Sequence, residues 1–137
     1  MNQKQHEARN LSMVMDFYEM TMSNGYFKDG DRDTRVAFDV FYRKNPDNGG
    51  LAIFCGLEQV VEYIQSLHFD EEDIAYLRAQ GLFSEEFLAY LADFKFKGDI
   101  YAFPEGTIMY PNEPILTVVA PLIDAQLIET AILLEIN

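Results

Sequence analysis

Two short stretches of this sequence carry side chains able to bind a small molecule. The first holds Asp16, Tyr18 and Thr21, polar groups that interrupt an otherwise apolar helical face. A tyrosine placed there can stack its ring on a planar ligand and anchor it through the hydroxyl. Large aromatics serve cores more often than ligands, so the residues alone favour a core role for Tyr18. The second stretch is Phe41-Tyr42-Arg43-Lys44-Asn45, where two cations stand together at the end of a predicted strand. In an acidic chain an Arg–Lys pair can hold phosphate, because guanidinium matches its oxygens in pairs. A solvated strand end is the commoner reason for such a pair.

Other catalytic patterns are missing. There is no Gly-rich phosphate loop ending in Lys-Ser/Thr, no zinc-like Cys/His spacing and no Gly-x-Ser-x-Gly elbow. The single cysteine, Cys55, sits in an apolar run and reads as a buried structural residue. Neither His6 nor His68 offers it a catalytic partner by motif. The acidic runs Glu71-Glu72-Asp73 and Glu85-Glu86 fall in predicted helix first turns, where the helix dipole explains them.

The elements that must position these residues follow from periodicity and breakers. A helix is predicted over Val14 to Asn24, with Val14, Phe17, Tyr18 and Met22 at helical spacing, Ser12 as cap and Gly25 as terminator. Alternation of Val36, Phe38, Val40 and Tyr42 predicts a strand. The breaker-rich run Asn45 to Gly50 joins it to Leu51–Cys55, and the two strands are expected to form a hairpin. Three helices follow. The first carries Leu57, Val60, Val61, Ile64 and Leu67; the second is capped by Asp70 and ends at Gly81; the third is capped by Ser84. Asp99–Phe103, Thr107–Tyr110 and Ile115–Val119 read as short strands, and Pro121 opens one long helix to Asn137. Its apolar end, with Leu133, Leu134 and Ile136, reads as a chain cut rather than finished.

The whole is one domain over residues 13–137, preceded by a polar, flexible arm over residues 1–12. Hydrophobic residues make up 49% of 137, enough for a real core. Ten basic against 23 acidic residues give a net charge of −13, which repels phosphate backbones and anionic lipid surfaces. Neither a nucleic-acid nor a membrane partner is expected. One cysteine and no apolar leader point to a reduced, cytoplasmic setting.

Met13-Val14-Met15-Asp16-Phe17-Tyr18-Glu19-Met20-Thr21-Met22 resembles the opening signature of nicotinate phosphoribosyltransferases, usually Leu-x-Thr-Asp-x-Tyr-x-x-Thr-Met. Met15 stands where that signature has Thr. The resemblance continues through Phe41-Tyr42-Arg43-Lys44-Asn45-Pro46, Ile53-Phe54-Cys55-Gly56-Leu57-Glu58, Pro104-Glu105-Gly106, Tyr110 to Leu116 and Ala125-Gln126-Leu127-Ile128-Glu129-Thr130. The blocks come in family order across nearly the whole chain.

The resemblance implies an α+β fold, the amino-terminal domain of quinolinate phosphoribosyltransferase type. Helices would pack on a small sheet beside a β-rich hammerhead or barrel-sandwich module over Asp99 to Val119. It implies the transfer of a phosphoribosyl group from phosphoribosyl pyrophosphate to nicotinate, giving nicotinate mononucleotide in NAD salvage. In the family this is coupled to ATP hydrolysis through a phosphorylated His, with magnesium on the pyrophosphate. It further implies a homodimer with shared active sites. There Tyr18 would stack on the pyridine ring of the neighbouring subunit, Asp16 would support it, and Arg43 and Lys44 would lie near phosphate groups. The catalytic barrel is expected to be absent from this chain, so that it binds no cofactor and turns over nothing alone. The competing expectation is a non-enzymatic ligand-binding or oligomerisation module of the same fold. A lipoyl or biotin carrier fits poorly, since Lys95 and Lys97 precede the strands and do not sit on a hairpin tip.

Overall fold

The computed structural model describes residues 10–137. They form an α+β fold of six helices and two small antiparallel sheets. The first sheet has the order β1-β5-β3, from Arg35–Val40, Leu116–Pro121 and Asp99–Ala102. The second joins β2 (Ala52–Ile53) to β4 (Ile108–Met109).

The expected hairpin between the first two strands does not form. β1 instead lies antiparallel to β5, with Val36 opposite Ala120, Phe38 opposite Val118 and Val40 opposite Leu116. Side-chain period explains the choice. Strand β5 buries every second residue, Leu116, Val118 and Ala120, and the half-buried apolar residues of β1 face that same side. The run Leu51–Cys55 goes elsewhere. It buries Phe54 in a second apolar cluster with Met109 and Ile115. Asn45–Gly50, with a 3-10 turn at Pro46–Asn48, therefore carries the chain between sheets.

Helix α1 spans Phe17–Asp29, later than the periodicity placed it. Gly30, at φ 85° and ψ 8°, ends it in the left-handed conformation that glycine adopts without strain. Gly25 lies inside the helix. Ser12 does not cap it; its hydroxyl accepts from the His68 amide at 3.0 Å. The side chain of Asn10 donates to Asp70 and Asp73 at 3.1 and 3.0 Å, so residues 10–12 of the expected arm are tied to the start of the helix that Asp70 caps. Residues 1–9 of that arm, with His6, lie outside the described residues.

Helix α2 (Leu57–Ser66) starts at Gly56, whose φ is 101°. A Cβ there would fall on the Glu135 carbonyl oxygen, so glycine is required both by conformation and by the close approach of the last helix. No side chain at Gly56 can cap α2. The Glu105 carboxylate does so from a distance, its Oε1 accepting from the amides of Gly56 and Leu57 at 3.0 and 2.7 Å. Helix α3 (Glu71–Ala79) has a reciprocal cap in which Asp70 accepts from the Asp73 amide and Asp73 from the Asp70 amide. Helix α4 (Glu85–Ala92) begins with Ser84 accepting from the Phe87 amide at 3.3 Å.

The last helix, predicted as one, is two: α5 (Leu122–Leu127) and α6 (Glu129–Ile136), broken at Ile128. The main core gathers side chains from all six helices and from the three-stranded sheet, around Met20, Leu77, Phe87, Leu91, Leu116 and Leu127, with α5 packed against β1 and β5. Cys55 is exposed, contrary to the buried role expected of it, because its neighbour Phe54 takes the inward position. Among the described residues no helix is long and apolar enough to cross a membrane.

Candidate functional site

The first turn of α1 meets the first turn of α6 in a small polar junction. Two of its pairs, Tyr18 with Glu129 and Glu19 with Thr130, are 111 residues apart in sequence. The amide and hydroxyl of Thr130 both donate to Glu19 Oε1, at 2.9 and 2.7 Å. The same hydroxyl accepts from the Asp16 amide at 3.4 Å. Beside it the Tyr18 hydroxyl donates to Glu129 Oε1 at 3.1 Å, and the Gln126 side-chain amide donates to Glu129 Oε2 at 2.8 Å.

This junction explains the break at Ile128. An apolar residue cannot cap α6, so its first amides need an outside acceptor. Glu19 supplies it, drawing the Thr130 amide away from the carbonyl that a continuous helix would offer. A carboxylate also suits the positive end of a helix. Glu19 is fully buried, and burial raises its pKa above the ordinary carboxylate value, although the two bonds from Thr130 pull the other way. Its second oxygen has no protein partner, nor have the buried Ser23 hydroxyl, Asn24 Oδ1 and Tyr63 hydroxyl.

The buried face of α1 mixes polar with apolar side chains. Glu19, Ser23 and Asn24 are buried beside Met20. Val14, Phe17, Tyr18 and Met22, the residues whose spacing predicted the helix, are 41–45% exposed. Tyr18 is thus not consumed by the core. Desolvation raises its phenol pKa to about 12, helped by the bond to Glu129 and by the charges of Glu129, Glu19 and Asp16. It is a neutral hydroxyl donor with an accessible ring. Asp16 is exposed at the helix start, and its side chain makes no capping bond.

Arg43 and Lys44 follow β1 and are both exposed. The segment beneath them is pinned. The Tyr42 hydroxyl donates to the Met109 carbonyl oxygen at 2.8 Å, and the Asn112 amide donates to the Tyr42 carbonyl oxygen at 2.8 Å. Among the described residues neither cation forms an ion pair. Among the described residues no hydrogen bond joins them to the Tyr18 junction. A cavity of about 380 Å³ lies between β1 and α6, lined by Phe38, Val40, Val118, Glu129 and Ile132 among others. It puts Glu129 next to the strand that leads to the cations. Among the described residues no group of three His, Cys, Asp or Glu side chains is placed to hold a metal ion.

Residues 13–137 match the model of the nicotinate phosphoribosyltransferase (NAPRTase) N-terminal domain. The chain belongs to the nicotinate phosphoribosyltransferase family. It is 44% identical over 126 residues to nicotinate phosphoribosyltransferase pncB2 of Mycobacterium tuberculosis, covering 92% of this chain and 27% of that protein. To the nicotinate phosphoribosyltransferase of Bacillus subtilis it is 39% identical over 127 residues, 93% of this chain and 26% of that one. The crystal structure of human nicotinic acid phosphoribosyltransferase superposes with a TM-score of 0.82 at 28% identity, over 89% of this chain and 25% of that one. A nicotinate-nucleotide pyrophosphorylase from Pyrococcus furiosus shares the fold, with a TM-score of 0.68 at 20% identity. The chain spans about a quarter of the length of the nicotinate phosphoribosyltransferases it matches.

Sequence reading singled out Tyr18 and Asp16 but gave no role to Glu19, Glu129 or Thr130, which hold them. The signal was available. Both partners of the junction lie in blocks that resemble the family, one opening and one closing the chain.

Proposed function

We propose that this chain is the domain through which a nicotinate phosphoribosyltransferase offers Tyr18 to the pyridine ring of nicotinate, in an active site shared between two subunits. The observation that carries this reading is a half-exposed Tyr18 ring whose hydroxyl is already held by Glu129. An electron-poor aromatic acid favours stacking on such a ring. The exposed apolar face of Val14, Phe17 and Met22 around it supports a homodimer, since a monomer leaves that area against water. Arg43 and Lys44, exposed on a pinned segment, are the residues of this chain suited to the phosphates of phosphoribosyl pyrophosphate. Asp16 stands at the mouth of the α1–α6 junction and supports the site through its backbone bond to Thr130.

The reaction joins the pyridine nitrogen to the ribose carbon as pyrophosphate leaves, in the cytoplasm and coupled to ATP hydrolysis. Among the described residues no group of three His, Cys, Asp or Glu side chains is placed to hold magnesium, which would be bound through the pyrophosphate oxygens. The phosphorylated His and the electrostatic cradle for the developing ribose cation belong to the barrel of the complete enzyme. In finer terms the fold is that of the quinolinate-type amino-terminal domain. Its β-rich part would be completed as a hammerhead or barrel-sandwich by strands added at the outer edges of β1 and β3, beside which the described residues place no further strand.

Two measurements test the reading. The 137-residue chain alone should form no nicotinate mononucleotide, and measurable turnover would sink the division of labour proposed here. In the full-length enzyme Tyr18→Ala should raise the KM for nicotinate by roughly tenfold or more, the loss of one aromatic stacking contact with its buried area. An unchanged KM removes Tyr18 from the substrate.

A further inference from the structure

We infer that Glu129, Thr130 and Glu19 are positioning residues that preset the orientation of the Tyr18 ring; this rests on the stacking role proposed above. An exposed tyrosine on a helix turns freely about two side-chain torsions, and a binding partner must pay to immobilise it. Here that freedom is removed in advance. The Tyr18 hydroxyl is held at 3.1 Å by Glu129 Oε1, and Glu129 cannot swing away because Gln126 holds its other oxygen at 2.8 Å. Gln126 is only 3% exposed, so the anchor is part of the core.

The backbone below is fixed in the same way. Thr130 uses one hydroxyl for two tasks, donating to buried Glu19 and accepting from the Asp16 amide. With the Thr130 amide also on Glu19, the turn that carries Glu129 is fastened to the turn that carries Tyr18. Tension runs outward from groups buried in the core, Glu19 and Gln126, to a ring at the surface. A tether of this kind preorganises binding without touching the ligand, so its loss should appear in KM and leave kcat nearly intact.

The test is a set of variants of the full-length enzyme assayed with nicotinate. Tyr18→Phe keeps the ring and removes the tether; Glu129→Leu removes the acceptor. Each should raise KM about two- to tenfold with kcat changed less than about twofold, and the double variant should be no worse than the worse single one. Thr130→Val should raise KM to a similar extent, whereas Thr130→Ser, which keeps the hydroxyl, should behave like the parent. Multiplying effects of Tyr18→Phe and Glu129→Leu, or equal behaviour of the two Thr130 variants, would overturn the inference. Tyr18→Phe is close to isosteric and keeps the test decisive even where Glu129→Leu folds poorly. A Tyr18→Ala variant separates the two failures. If it raises KM while the tether variants do not, only the positioning is wrong; if it leaves KM unchanged, the stacking role has failed and takes the positioning with it.

Discussion

At the scale of single residues, Glu19 is the side chain on which most depends. Its carboxyl group is buried, accepts two hydrogen bonds from Thr130 and leaves one oxygen unpartnered. Burial makes the protonated form the easier one to keep inside, which is why its pKa is raised in the folded state. A raised carboxyl pKa stabilises the fold fully below the unfolded value, about 4.3 for Glu, and that contribution is lost as pH rises through the folded value. Glu19→Gln removes this titration but keeps an acceptor for Thr130. Relative to the parent, the Gln variant should therefore gain stability between about pH 4 and pH 7, a trend that urea unfolding at the two pH values measures directly. A constant difference between the two proteins would show that Glu19 does not titrate as the geometry requires. None of this was legible from the residue alone. Glu19 is one acid among 23, and only the meeting of two distant blocks makes it a cap.

At the scale of elements, the close approach of α2 to α6 rests on Gly56. Its left-handed φ and the Glu135 carbonyl at the place of a Cβ make two separate demands for glycine. Gly56→Ala meets neither, since the backbone strain costs about 1 kcal/mol and the clash with a backbone oxygen must be relieved by moving α6. The midpoint of urea unfolding should fall by an amount equivalent to about 2 kcal/mol or more, with the loss of order centred on the α2–α6 contact in hydrogen exchange. A neutral substitution would mean that the two helices are not packed as described. The sequence made such elements visible in type but less so in partnership. Helices starting at Asp70 and Ser84 were legible because caps are local chemistry. Strand β1 was legible from its alternation, but its partner was not, since pairing with β5 depends on which buried face is available some 80 residues later. The apolar spacing of Val14, Phe17, Tyr18 and Met22 gave a helix, three residues early at its start, and these four side chains lie exposed. Periodicity marks an apolar stripe, and it does not say whether the chain's own core or another surface covers it.

At the scale of the whole molecule, the net charge of −13 opposes compaction. Favourable pairing offers little against it. The described residues hold three ion pairs, Arg32–Asp33, Arg35–Asp99 and Arg78–Glu85, whose side chains are all 46–84% exposed. Pairs so exposed contribute little and weaken further in salt. Repulsion among 23 acidic groups acts over longer distances, so screening removes more of it than of the short-range attraction. Passing from about 0.01 M to 0.15 M ionic strength shortens the screening length from about 30 Å to about 8 Å. The thermal midpoint of the chain should accordingly rise over that range in sodium chloride, by a few degrees for each kcal/mol of repulsion relieved. A midpoint that falls instead would place the stability in the ion pairs.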